Sequence, residues 1–307
     1  YCENPDMDDD SPKTTTLQRK LVNTGMVIND FTHDRPEYLH AMLCQLGLPR
    51  SKTDLRSFER TSGNASIMVT AGKRFNGHEW IDSPLPYGTK PRLVLIHLCS
   101  EAVRTQNPVV DVSDGIKPFL DEMGLKMNGR SYRLFKDQMA YLACAEMRFA
   151  WHTGESVRQA HYSPIESFEA WSDPFTRQAS FWPDHIELAG KFFETLCEHA
   201  VPLDPRALHA LQHSALAMDI YSWLAHRLCR VRTDNGQKLY WKSLKGQFGQ
   251  EYGNTKDFKK AFAPALRKVL TVYPTARVRQ ETGGIRCFPS PTPIKRTNVS
   301  VLLPEKT

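Results

Sequence analysis

Lys256, Lys259, Lys260, Arg267 and Lys268 recur through one stretch whose apolar residues are Phe258, Phe262, Ala265, Leu266, Val269 and Tyr273. Steps of three and four residues put the apolar set on one side of a helix. Lys256, Lys260 and Arg267 line another side, and Lys259 and Lys268 flank them. These side chains make and break no bonds. Their chemistry is recognition: Lys supplies charge to phosphates, and Arg bonds a guanine edge through two contacts. Asn254 can cap the helix, with Asp257 at its third position. The amides of that first turn offer a further phosphate site. Pro264 removes the bond to the Lys260 carbonyl and is expected to kink the helix. Downstream, Arg277 and Arg279 alternate with Val278, so both face one side of a strand, and Arg286 lies on the partner strand. Upstream, Lys242 and Lys245 on a preceding helix can clamp phosphates. Two plainer readings exist: solvated charges on a packed amphipathic helix, or a membrane-surface helix. Helix-turn-helix-wing context favours duplex DNA over both.

Catalytic constellations are weaker. His209 and His213 have the four-residue spacing of two metal ligands, but Ala210 stands where a metalloprotease needs Glu. No third ligand is evident nearby. Ala71-Gly72-Lys73-Arg74 lacks the first Gly and the Ser/Thr of a phosphate-binding loop. No G-x-S-x-G, dinucleotide glycine signature or His-x-His pair occurs. The expectation is a non-enzyme with no cofactor and no metal. A metal-dependent hydrolase at His209/His213 is the alternative from another class.

The elements that must position the basic residues follow from patterning. Residues 221–307 carry 17 Lys+Arg against 5 Asp+Glu, whereas residues 1–220 carry 23 against 29. The overall +6 therefore hides a basic C-terminal module on a mildly acidic body. With 40% hydrophobic and 24% charged residues, the composition excludes fibrous and largely disordered chains. No apolar run approaches a membrane span. The seven cysteines are scattered singly and read as reduced core residues of a cytoplasmic protein. The first residues are acidic, unlike a secretory leader.

Along the chain, a short helix is expected over Glu37–Leu46 and a strand over Ser66–Thr70. A helix from Thr89, a strand at Val109–Val112, a helix from Ser113 to Gly124 and a helix near Ser131 come next. Strands at Met147–His152 and Val157–His161 then flank Thr153-Gly154-Glu155. The order recurs: a strand pair within 163–186, a helix over Leu188–His199, and one long helix from Asp204 to about Leu228. After these come a helix over Trp241–Phe248, the basic helix over 255–273, and a hairpin of Ala276–Gln280 with Ile285–Phe288. This predicts an α+β, mainly helical fold of two tandem winged-helix domains. The expected divisions are a disordered acidic tail at 1–27, an N-terminal winged helix at 28–183, a DNA-reading winged helix at 184–294 and a tail at 295–307. Arg130, Arg133 and Lys136 near the third helix of the first unit are candidate phosphate contacts, with ordinary surface charge as the other reading.

Two stretches resemble the RepA-type plasmid replication initiators. One is Leu85-Pro86-Tyr87-Gly88-Thr89-Lys90-Pro91-Arg92-Leu93, continuing through Glu101-Ala102 and Phe119-Leu120 to Gly124-Leu125. The other is Val201-Pro202-Leu203-Asp204, then Asp219-Ile220-Tyr221-Ser222-Trp223-Leu224-Ala225, then Phe248-Gly249, Phe258-Lys259 and Tyr273-Pro274-Thr275-Ala276-Arg277. The likeness spans residues 56–294. It implies tandem winged helices that bind repeated origin sequences (iterons) in double-stranded DNA. It further implies origin opening, contacts with the host replicative helicase and host initiator, plasmid copy control, a homodimer that represses its own gene, and a nucleoid- or plasmid-associated place in a bacterial cytoplasm. A winged-helix transcriptional repressor without an initiator role is the near alternative.

Overall fold

The structure is a computed structural model that describes residues 15–294, apart from 34, 76–77, 115, 126–128, 163 and 169–184. Residues 1–14 of the expected 1–27 tail, the expected tail at 295–307 and most of the expected 163–186 strand pair lie outside the described residues.

Residues 16–27, expected to belong to a disordered tail, fold as the first part of helix α1 (Thr16–Asp30). Thr15 and Gln18 form a reciprocal capping box that satisfies the first-turn amides. The expected Glu37–Leu46 helix begins instead as strand β1 (Glu37–His40), followed by α2 (Ala41–Leu46). The His40 ring marks the switch, its Nδ1 accepting from the Met42 amide at 3.1 Å. Strands β2 (Ser57–Ser62), β3 (Ala65–Thr70), β4 (Lys73–Phe75) and β5 (Trp80–Asp82) follow. Of these only β3 was expected.

Then come α3 (Thr89–Thr105), β6 (Val109–Asp111), α4 (Ile116–Glu122), α5 (Gly129–Cys144), β7 (Glu146–Thr153), β8 (Ser156–Tyr162), β9 (Ile165–Phe168) and β10 (His185–Leu188). This is the expected order, but the pairing differs from a repeat of the C-terminal unit. Strand β6 pairs with β10, and the β7–β8 hairpin extends a β2-β3-β7-β8 sheet. Helix α6 (Gly190–His199) leads into β11 (Ala200–Leu203), which pairs antiparallel with β1, Glu37 opposite Leu203.

The single long helix expected from Asp204 is two helices, α7 (Pro205–Leu211) and α8 (Ala215–Leu228). Ser214 breaks it by accepting from the Ala217 amide, which starts a new first turn. The chain ends with β12 (Gln237–Tyr240), α9 (Trp241–Phe248), α10 (Thr255–Val272), β13 (Val278–Glu281) and β14 (Gly284–Cys287). The fold is therefore mixed α and β, with helices outweighing strands. Helix α10 runs unbroken through Pro264. Cys44, Cys99 and Cys287 are buried as expected, whereas Cys229 is exposed.

One buried polar cluster joins distant parts of this order. The Asp219 carboxylate on α8 accepts from Arg92 Nε at 2.7 Å and Arg92 Nη2 at 2.9 Å. Arg60 on β2 and Arg50 also approach it, at 3.6 and 3.7 Å. Arg92 donates further to the Leu48, Pro49 and Gly88 carbonyls. Arg50 continues the lattice to the Phe248 carbonyl and to Glu251. Burial alone would raise the Asp219 pKa, but the charge and bonds of Arg92, with Arg60 and Arg50, outweigh it and hold the carboxyl below its ordinary value. Burial in turn lowers the Arg60 guanidinium to about 10.

Asp219→Asn would leave three guanidinia beside no buried carboxylate. We expect a loss of about 3–5 kcal/mol in urea unfolding. A change under about 1 kcal/mol would remove the cluster from its structural role.

His40 supplies a second prediction. Burial, and then the neighbouring His199, lower its pKa to about 4. Its folded pKa lies below its unfolded value, so its contribution is complete above the unfolded pKa of about 6.5. That contribution falls as pH drops from there toward 4. The expected loss is about 3 kcal/mol across this window. His40→Gln is expected to flatten that part of the pH–stability curve, and an unchanged curve would discount this account.

Candidate nucleic-acid interface

Helix α10 exists because its apolar side has a deep partner. Phe258, Phe262, Ala265, Leu266, Val269 and Val272 are buried. Trp241 meets Phe262 edge-on at 5.9 Å, Phe248 lies 5.6 Å from Phe262, and Trp223 lies 5.2 Å from Phe248. These rings clamp α8, α9 and α10 together. From behind, α1 approaches so closely that a Cβ on Gly25 would stand 2.0 Å from the Thr271 carbonyl oxygen. Only glycine fits there. The Asn254 side chain accepts from the Asp257 amide at 2.9 Å, so the expected cap is present.

With its apolar side committed, α10 turns its cations outward. Lys256, Lys259, Lys260 and Arg267 are exposed and Lys268 is half-buried. The Lys259 ammonium lies 5.3 Å from the Trp241 ring centroid, and Lys260 lies 3.9 Å from Asp257. On α9, Lys242 is exposed and Lys245 half-buried.

The sheet that packs against α9 has β14 between β12 and β13. Arg277 and Arg279 both stack on the Phe288 ring, at 5.6 and 5.7 Å, which keeps them on one side as their alternation requires. Arg279 stands opposite Arg286 in the ladder. Sequence reasoning missed what restrains this pair. Glu281 accepts from Arg286 at 2.6 Å and from Arg279 at 3.0 Å. These bonds, that of Arg286 first, hold the Glu281 pKa near 2. The clue was available: Glu281 follows Arg279 by two, the same-face step of a strand.

The first unit's candidates lie on α5, which packs on α3, β9 and β4, whereas α10 packs on α8, α1, α7 and α9. Arg133 is exposed. Lys136 is half-buried, its ammonium 5.2 Å from the Tyr132 ring centroid. The Arg130 side chain lies outside the described residues. Sequence reasoning did not single out Arg148 and Arg158, both exposed on the β7–β8 hairpin.

His209 and His213 do not share a helix. His209 lies in the last turn of α7, and His213 is exposed in the turn after the helix. The two His209 ring nitrogens face Lys20 Nζ at 3.3 Å and Gln212 Nε2 at 3.2 Å. The spacing that suggested two ligands on one helix face is therefore broken by the α7–α8 turn. Among the described residues, no group of three or more His, Cys, Asp or Glu is placed to hold a metal ion. Likewise, no helix there is long and apolar enough to cross a membrane. A cleft of about 900 Å³ opens between α1, α3 and α7, with Leu93, Ile96 and Leu208 among its apolar walls and Arg19 and Lys20 among its polar ones.

The body thus carries exposed cations on helix α10 and on the β12–β14–β13 sheet. The family described as plasmid-encoded RepA protein matches residues 85–243, just over half the chain. The chain is a member of that plasmid RepA family. The match includes Arg92 and Asp219 and ends before α10. Among solved structures, a crystal structure of domains 2 and 3 of RctB is similar at 13% identity and a TM-score of 0.49, covering 80% of this chain and 98% of that one. A second structure of RctB domains 2–3 is similar at 13% identity and a TM-score of 0.47, covering 77% and 83%. No curated protein sequence matches the chain.

Proposed function

We propose that the chain is a plasmid replication initiator that binds repeated sequences in duplex DNA and has no catalytic site. One observation carries this reading. The order α8, β12, α9, α10, β13, β14, with β14 central in its sheet, is that of a winged helix, and the exposed cations fall on its third helix and its wing. Membership in the plasmid RepA family supports replication as the purpose of the binding. In this reading α10 enters the major groove with Lys256, Lys260 and Arg267 leading. Arg277, Arg279 and Arg286 follow the backbone, and Lys242, Lys245, Lys259 and Lys268 add charge around them. A first DNA-contacting unit, with α5 and the β7–β8 hairpin, adds backbone contacts through Arg133, Lys136 and Arg130. Origin opening, contact with the host helicase and dimeric self-repression extend the same reading.

Binding through phosphates releases counterions, so log affinity falls with log salt by about 0.9 per phosphate neutralised. The Lys256→Ala, Lys260→Ala, Arg267→Ala triple variant is expected to flatten that slope by about 2.7 on a repeat-containing duplex. A salt-independent wild type, or an unchanged slope in the variant, would overturn the proposal.

Glu281 offers a separate prediction. Its carboxylate offsets Arg279 and Arg286 in the free protein. Glu281→Gln is expected to strengthen binding to random-sequence duplex by a few-fold and to narrow discrimination in favour of repeats. Competition titration checks both effects. Weaker binding to random duplex would mean that holding the arginines in place matters more than offsetting their charge.

A further inference from the structure

Strands β4 and β5 form a two-stranded arm that carries two exposed aromatic rings. Phe75 and Trp80 are direct ladder partners. Their ring centroids are 5.5 Å apart and the rings are tilted by 50°. Both stand out in solvent: Trp80 is 65% exposed and Phe75 46%. Single exposed apolar side chains are ordinary, but a paired Trp and Phe on one arm are not.

The arm is rooted firmly. The Arg56 guanidinium donates to the Ser83 carbonyl at 2.8 Å, to Ala71 at 2.8 Å and to Gly72 at 3.2 Å. The Ser83 amide closes the base by donating to the Gly72 carbonyl at 3.0 Å. Gly72 lies against the C-terminus of α5, where a Cβ would stand 1.8 Å from the Cys144 carbonyl oxygen. The aromatic pair is thus held out from a fixed base, so little conformational freedom remains to be lost on binding.

Charge sits beside the rings. Lys73 and Asp82 occupy the ring-bearing side of the ladder, and Arg74 with Ile81 the other. Asp82 is engaged by Arg56 at 3.1 Å and Lys73 at 3.5 Å. On the arm itself Lys73 and Arg74 balance Glu79 and Asp82, and Arg56 at its root adds one positive charge. Strand β4 packs against α5, the helix that carries Arg133 and Lys136.

We infer that this arm is a stacking platform for unpaired DNA bases, with Trp80 and Phe75 taking base faces and Lys73 an adjoining phosphate. Duplex bases cover one another and offer no free face to a ring, whereas single strands do. Exposed aromatics with neighbouring cations are the pair of features that sequence-tolerant single-strand binding uses. Two rings make too small an apolar patch for a stable protein interface, which takes roughly 800 Å² per partner. The inference rests on the DNA-binding reading above and deepens it, since an opened origin supplies such strands.

The test is fluorescence anisotropy of the full chain on labelled oligothymidine and, separately, on a repeat-containing duplex. Replacing Phe75→Ala and Trp80→Ala together is expected to weaken oligothymidine binding about tenfold or more, with duplex affinity and melting temperature unchanged. Trp80→Phe is expected to recover most of the loss. Photocrosslinking of wild type to iodouracil-substituted single strand is expected to give adducts on Phe75 or Trp80. Equal binding by the double variant, or adducts only elsewhere, overturns the inference. So does a wild type that holds duplex but not oligothymidine. A double variant that keeps oligothymidine affinity but changes its sedimentation makes the arm a self-association surface, which also overturns it. A wild type that holds oligothymidine but not duplex leaves the arm standing and overturns the duplex reading alone.

Discussion

A carboxylate placed in the interior must be neutralised there, and Asp219 has three guanidinia within reach. Much of the architecture depends on this arrangement. Arg92 comes from the first turn of α3, Arg60 from β2, Arg50 from the loop after α2, and Asp219 from the middle of α8. Segments far apart in sequence are fixed to one another through a single anion. The positive excess is spread over backbone carbonyls, as Arg92 shows with its bonds to Leu48, Pro49 and Gly88. A buried pair of this kind is a weak source of net stability, because desolvation offsets most of the attraction. What it supplies is geometry, since any other arrangement leaves a charge uncompensated.

That geometry reaches the cationic helix α10. Arg50 touches the Phe248 carbonyl at the end of α9 and Glu251 in the turn before α10. The turn that aims α10 is therefore held from the interior by the lattice that holds α3. Ring packing of Trp241, Phe248, Phe258 and Phe262 fixes the helix about its own axis. α1 closes its back at Gly25. Position, rotation and depth of the basic helix thus have three separate causes, none of which involves the lysines themselves.

The sequence made the local features legible and hid the non-local ones. Amphipathic spacing located α10 and α3, and Asn254 marked the α10 start, because these signals act within a few residues. β1 was read as helix because its partner β11 lies far along the chain, and its pattern alone favours neither state. Asp204 to Leu228 was read as one helix because apolar spacing continues across Gln212–Ser214, while a single serine hydroxyl decides the break. The lattice around Asp219 was invisible for the same reason. Arg92 and Asp219 appear in the quoted motifs and Arg50 and Arg60 do not, and nothing in their spacing shows that the four meet. The basic residues of the candidate interface could be found, whereas Glu281, their restraint, needs strand register to be recognised.

The family match and the charge occupy different parts of the chain, and the physics explains why that is workable. Residues 85–243 contain Arg92, Asp219, most of the packed helices and the start of α9, but none of α10 or β13–β14. A buried ion lattice tolerates little change, because each member carries the cost of leaving the others unpaired. An exposed lysine on a helix already secured by its opposite face can change at little cost to stability. Such a division lets a scaffold stay fixed while its exposed surface is free to vary. The same logic holds at β4–β5, where the Arg56 fork and Gly72 secure the root and leave Phe75 and Trp80 free of any packing duty. In both places rigidity comes from groups hidden beneath the contact surface, so the groups on that surface can be set by what they bind.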